Sequence, residues 1–414
     1  MPPDLPGYYF DLQRNRYFPL SSRPPAPQIA VAGSPLTPPR SKKRILWDSR
    51  LSSSTSFAAR SRVSNSLLHA RLEQTSQSES WPVPPGSAIS AFTTTPWSSD
   101  QGVRQFIGDT QGCIYARNYD TDWADWTLEL CLARGSYISA LLATPAHAVS
   151  VCFGPTTKIA IQNSGAPDRT TLLTLLAISD VRAASIQRGA LALAAAFRAY
   201  LIPDLESHSS LRTLATASDV FAIAQQETLV YTGTRSGTVL RFDTRTKTEL
   251  PAHAQRICDS RIGWGASSSN PPRSSASFVH PLSDGSPALV VGFMDGRLAL
   301  YDLRFVRPSA PPAVVYADLV PGPAPPPPPL PLGITLDPAE RFLFNALPDG
   351  RLQGWAVSSG RALHPPPLPH VVRPGLLATR FASPPTALQV LEEGAGMVLW
   401  AAHSGEVSRW TLCV

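Results

Sequence analysis

Most of the patterns that carry chemistry are missing from this chain. Its 414 residues contain no phosphate-cradling Gly-Lys-Ser/Thr loop, no Gly-x-Ser-x-Gly elbow and no His-Glu-x-x-His pair. The eight histidines are scattered. His253 and His280 read as framework or loop residues, and Glu392-Glu393 falls at an expected turn. The five cysteines, at 113, 131, 152, 258 and 413, are odd in number, and no pair has metal-ligand spacing. Buried free thiols in a reducing compartment are the plain expectation. There is no charged-then-apolar leader and no run of about 18 apolar residues. These absences argue against an enzyme: no catalytic residue, metal ligand, cofactor or membrane contact is expected, and the expected location is the nucleus, the cytoplasm or both.

Proline, by contrast, is abundant. The 43 prolines far exceed ordinary usage of about 5%. They cluster at Ser21–Pro39, Pro308–Pro312, Pro321–Pro331 and Pro365–Pro369. The later clusters fall between repeats and read as extended inter-strand loops, although residues 321–331 could also bind a proline-recognising domain. Charge is uneven too. Residues 1–80 hold 11 Lys and Arg against 5 Asp and Glu, which accounts for the entire net charge of +6. Arg40-Ser-Lys-Lys-Arg44 is the densest basic part. A nuclear address, a contact for an acidic partner, a nucleic-acid contact and a solvated tail all remain open for it. No aromatic residues are interleaved with a basic groove, so single-strand binding has little support and nucleic acid is not the expected partner.

The most informative pattern is a repeat. Residues 229–245 and 288–304 share an apolar run, a Gly, a second Gly four residues on, an apolar alternation and an aromatic-Asp-x-Arg ending. Residues 106–115, 343–355 and 400–410 are further copies, and residues 149–161 and 190–202 are degenerate ones. The small residue of the first strand marks each unit: Gly108, Gly154, Ala196, Gly233, Gly292, Asn345 and Ala402. The seven units are spaced like WD repeats of about 40–45 residues carrying loop insertions. Gly112, Gly237, Gly296, Gly350 and Gly405 stand where hairpins need positive φ. One such sheet cannot bury both faces, whereas sheets stacked around an axis can.

The chain therefore resembles the WD-repeat family. The expected fold is all-β: a seven-bladed WD-repeat β-propeller over residues 78–414, preceded by a mostly irregular basic extension, residues 1–77, carrying one short helix. The last copy stops after a third strand, so a segment around Ser78–Val83 is expected to supply the missing outer strand.

Two features point to a partner. Phe242-Asp243-Thr244-Arg245 and Tyr301-Asp302-Leu303-Arg304 close consecutive units. Each Asp can accept hydrogen bonds in its turn, and each Arg fork can reach another protein or pair within its own blade. Val63, Leu67, Leu68 and Leu72 form a helical stripe over candidate helix 62–73, with Arg71 and Glu73 beside it and Ser64 or Ser66 as cap.

Both endings resemble the Asp-x-Arg box of the WD-repeat substrate receptors of cullin-4 RING ubiquitin ligases. The opening, Pro6–Phe18, with its aromatics, Asp11 and Asn15-Arg16-Tyr17-Phe18, also resembles members of that family and reads as a hairpin turning at Leu12–Asn15. The resemblance implies that the chain docks on the adaptor damage-specific DNA-binding protein 1 and presents an unnamed protein for ubiquitination by the cullin-4 complex. Arg245 and Arg304 would touch the adaptor, and Asp243 and Asp302 would shape the turns. The helix with Leu67, Leu68 and Arg71 would enter an adaptor groove, as in related receptors, or else pack on the propeller itself. The alternative function is a WD-repeat interaction scaffold with no ligase link.

Overall fold

The structure is a computed structural model. It describes residues 8–11, 16–19, 77–84, 88–96, 103–118, 125–207, 210–246, 250, 253–260, 273–283, 287–307, 310–317, 331–363, 375–393 and 396–412. The chain divides into two compact units, residues 1–59 and 60–414. In the first unit, strands Tyr8–Asp11 and Arg16–Pro19 form an antiparallel hairpin with Asp11 opposite Arg16, in line with the hairpin expected there.

The second unit is a seven-bladed β-propeller. Blades 1 to 7 span residues 89–131, 138–175, 183–215, 220–259, 276–317, 334–356 and 387–412. Within each blade the strands follow chain order, and consecutive strands pair antiparallel. The second strands are buried on both faces, as the continuous apolar runs of Ala288–Phe293 and Phe342–Ala346 require. Seven apolar clusters fill the interfaces between neighbouring blades, and the last joins Trp400 of blade 7 to Ile89, Phe92 and Ile107 of blade 1.

The ring closes as expected. Strand Gln77–Pro82 pairs antiparallel with Glu406–Leu412 and becomes the outer strand of blade 7. Trp81 then lies 5.5 Å from Trp400 between ring centroids. Arg117 of blade 1 sits over Trp81 at 4.6 Å and over Trp126 at 4.7 Å, tying the closing strand to the first blade.

The repeat markers have a physical cause. A Cβ on Gly108 would lie 2.5 Å from Ile138 of blade 2, and one on Gly233 would lie 2.6 Å from the Ala276 carbonyl oxygen of blade 5. Small residues stand where the next blade's inner strand approaches. Two markers fall elsewhere: Gly154 and Ala196 lie beyond strands His147–Cys152 and Ala190–Ala194. The position in blade 2 that matches Gly108, opposite the inner strand after its bulge, is Val151, which packs beside Val181.

One other reading is corrected. In the last hairpin Ser404 (φ 52°), not Gly405, takes the left-handed conformation. Among the described residues blade 6 has three strands, and along its third strand run two isolated bridges, Trp355–Ala362 and Arg351–Arg380. The helix expected over 62–73, including Leu67, Leu68 and Arg71, lies outside the described residues, as do Arg40–Arg44 and the prolines of 321–330.

Candidate functional site: the aspartate–arginine turns

The third strands of blades 4 and 5, Thr238–Asp243 and Leu298–Asp302, end the same way. Alternation turns Phe242 and Tyr301 into the blade interfaces, where both are buried. The next residue is then an Asp at the strand end. In blade 4 the Thr244 N–H donates to Thr228 O at 2.8 Å, and in blade 5 the Leu303 N–H donates to Pro287 O at 2.6 Å. Each turn is thereby hooked to the turn joining its own blade's first two strands. Because all blades share one strand order, the two turns lie at the same end of the ring on adjacent blades.

The side-chain geometry is duplicated. Asp243 Oδ1 accepts from the Arg245 backbone N–H at 3.0 Å. Arg245 Nε donates to Oδ1 at 3.0 Å and to Oδ2 at 3.2 Å, and Nη2 donates to Oδ2 at 2.6 Å. Asp302 receives the same set from Arg304, at 2.9, 3.0, 3.0 and 2.6 Å. It also caps the short 3₁₀ turn Leu303–Phe305. Each Arg therefore pairs within its own blade, as one of the two sequence readings allowed. Both forks remain largely exposed, at 72% for Arg245 and 65% for Arg304. The pairing uses Nε and Nη2; Nη1 of each has no partner among the described residues. A carboxylate that takes one edge of a planar guanidinium fixes the direction of the other.

Hydrogen bonds from Arg245's side chain and then its backbone N–H hold the Asp243 carboxyl down at about 2. Arg304 lowers Asp302 in the same manner. A depressed carboxyl keeps its pairing at every pH above its unfolded value and loses it only as pH falls toward the folded one. Both turns are therefore fully charged at neutral pH. Arg212, from the outer strand of blade 3, donates through Nη1 to Thr244 O at 2.8 Å and buttresses the first turn.

Between the outer strand of blade 4 and the second turn lies a hollow of about 190 Å³. Ile257 lines one side, and Tyr301, Val306, Ala310 and Pro311 line the other, with Asp302 and Arg307 also bordering it. Sequence reading missed this hollow, although the Pro308–Pro312 cluster directly after the second box was its signal.

Sequence reading also passed over other Asp-x-Arg tripeptides, because it looked for them only at aromatic strand ends. Asp295 and Arg297 form an ion pair at 2.8 Å, with Arg297 almost fully buried and donating to Ser260 O at 2.7 Å. Asp349 and Arg351 pair at 2.6 Å. Both occupy turns between second and third strands, at the opposite end of the ring. The tripeptide is thus a general turn device here, and position alone distinguishes residues 243–245 and 302–304. The cysteines differ from expectation as well: Cys152 and Cys258 are buried, whereas Cys131 is exposed and Cys113 half-buried. Among the described residues, no three His, Cys, Asp or Glu side chains gather as metal ligands.

No protein-family model and no curated protein matches this chain. Solved structures match widely, with 1531 chains alike, so the likeness speaks to architecture. Among them is Chaetomium thermophilum Raptor, at TM-score 0.54 and 12% identity over 80% of this chain. The shared fold is a β-propeller. The match takes in 28% of the Raptor chain, and at that identity the fold alone is common to the two.

Proposed function

We propose that this propeller is a substrate receptor of a cullin-4 RING ubiquitin ligase. Its paired aspartate–arginine turns would dock on the adaptor damage-specific DNA-binding protein 1. The coarser ground is secure: a rigid ring with two loop-bearing ends is the architecture of an interaction scaffold, and function lies in what those ends bind. The observation that carries the finer reading is the duplication. Two identical Asp-chelated forks stand exposed at one end of adjacent blades, and an apolar hollow borders one of them. Such a surface offers two preset donors and a socket for an apolar anchor, the mix found at interface hot spots. The opening residues 6–18 support the reading further, through their likeness to DDB1- and CUL4-associated factor 4. The segment with Leu67, Leu68 and Arg71 would add a helix-in-groove contact to the same adaptor. The receptor performs no chemistry in this role. It holds a protein near a catalytic subunit, which acts by proximity.

The test is capture of purified adaptor by the tagged full chain. Replacing Arg245 and Arg304 together with Ala should weaken capture on the order of 100-fold. The melting temperature should change little, because both groups are exposed. Replacing both with Lys keeps the charge but loses the fork, and should also weaken capture. Capture that survives the double Ala change would remove these turns from the contact. No capture by folded wild type would leave the scaffold without a ligase link.

A further inference from the structure

The opposite end of the ring, over blades 2 to 4, carries a feature that the adaptor reading does not use. Asp180-Val181-Arg182 is another Asp-x-Arg tripeptide, but it does not close on itself. Arg182 lies between two phenylalanines from neighbouring blades: 5.1 Å from the Phe153 centroid and 4.6 Å from that of Phe221. Tyr137 stacks on Phe153, 4.8 Å away between ring centroids at an interplanar angle of 15°. The Arg182 Nε is buried without an acceptor. Among the described residues no carboxylate or carbonyl engages this guanidinium, which is held in place by ring faces instead. Stacking of this kind immobilises a cation and leaves its in-plane N–H groups unspent.

Phe197 stands at the same end. Four other blades place glycine at positive φ in the turn between second and third strands: Gly112, Gly237, Gly296 and Gly350. Blade 3 places Phe197 there instead, at φ 62° and 72% exposed. Asp219 Oδ1 accepts its N–H at 3.1 Å, and Thr216 Oγ1 donates to its carbonyl at 3.1 Å, so the ring is held out by a braced backbone. Asp180 (φ 52°) and Ala217 (φ 56°) carry the same unfavourable backbone nearby. Charge at this end of blades 2 to 4 is mostly positive: Arg134, Lys158, Arg198 and Arg235 join Arg182. The carboxylates at this end of those blades are Asp180, Asp219, which is engaged by Phe197 N–H and Arg235, and the buried Asp259, so the cations outnumber them.

We propose that this end is a peptide-binding site for an acidic segment of a partner protein. A carboxylate would take the in-plane edge of Arg182, and an apolar side chain would rest on Phe197. Charge complementarity selects the acidic segment, and the planar fork selects a carboxylate. The site is independent of the adaptor turns, so either can fail without the other.

The experiment selects a random peptide-display library on the intact chain. Selected peptides should be enriched in Asp or Glu beside an apolar residue. A selected peptide, made synthetically and fluorescein-labelled, should bind Arg182→Gln about 10- to 100-fold more weakly, the range for one charge-assisted bidentate contact. Arg182→Lys should also weaken it, because a point charge cannot reproduce the fork. Phe197→Gly is the decisive second variant. It relieves the positive φ, so its melting temperature should hold or rise while peptide affinity falls. Selection of neutral or basic peptides would overturn the proposal. So would acidic peptides bound equally well by Arg182→Gln and Phe197→Gly. Arg182-dependent binding of a labelled RNA, with no acidic peptide selected, would overturn it in favour of a nucleic-acid site.

Discussion

Deleting residues 77–83 should leave a chain that no longer folds as a monomer. Those residues supply the outer strand of blade 7, paired from Gln77 opposite Thr411 to Pro82 opposite Glu406. Without them, Glu406–Leu412 becomes an open edge with unpaired backbone groups, a template for association between chains. The interface between blades 7 and 1 also loses Trp81 from its position against Trp400 and under Arg117. A ring differs from an open stack because its first and last blades hold each other, and this strand closes the ring. Trp81→Ala probes the same joint more gently. Loss of a packed Trp costs about 3–5 kcal/mol, and Trp81 is only half-buried, so the lower figure applies. At about 1–2 °C per kcal/mol for a ring of this size, the melting temperature should fall by roughly 3–6 °C. Size-exclusion chromatography of the deletion variant should show oligomers or aggregate. A monomeric deletion variant with an unchanged melt would mean that the closing strand carries no stability.

Gly237→Ala should be far more damaging than Gly296→Ala, although the two glycines occupy matching turns. Both have left-handed φ, 80° and 90°, so alanine pays about 1–2 kcal/mol of backbone strain at either. They differ in what surrounds them. A Cβ on Gly296 meets nothing within 4 Å. A Cβ on Gly237 would lie 2.0 Å from Ser260 Oγ and 2.4 Å from the Ser274 carbonyl oxygen. Ser260 cannot simply move aside: its N–H donates to Gly237 O at 2.8 Å, and its carbonyl accepts from Arg297 at 2.7 Å. Overpacking adds about 1–3 kcal/mol, for a total of about 2–5 kcal/mol at Gly237. Thermal melts of the two variants side by side should separate them by several degrees. Equal effects would mean that strain alone, and not crowding, keeps glycine in these turns.

These contrasts show why parts of the fold could be read from sequence. Gly108 and Gly233 were visible as repeat markers because a neighbouring inner strand forbids a side chain there. The marker vanished in blade 2, where Val151 fits beside Val181. The closing strand was legible from a count of strands in the last repeat. At the candidate site, position was legible and pairing was not: the endings at Arg245 and Arg304 stood out, but the closure of each fork on its own Asp depends on turn geometry. The Arg182 row was beyond local reading, since Phe153 and Phe221 lie on separate blades and meet Arg182 only when the ring forms.

The division of labour between the two ends can be measured in one experiment. Amide hydrogen exchange would be followed on the full chain, alone and saturated with damage-specific DNA-binding protein 1. Slowed exchange is expected in residues 241–246 and 301–307, with no change in residues 195–198 and 217–221 at the opposite end. Protection confined to the Phe197 end, or no complex at all with folded protein, would contradict adaptor docking through the aspartate–arginine turns.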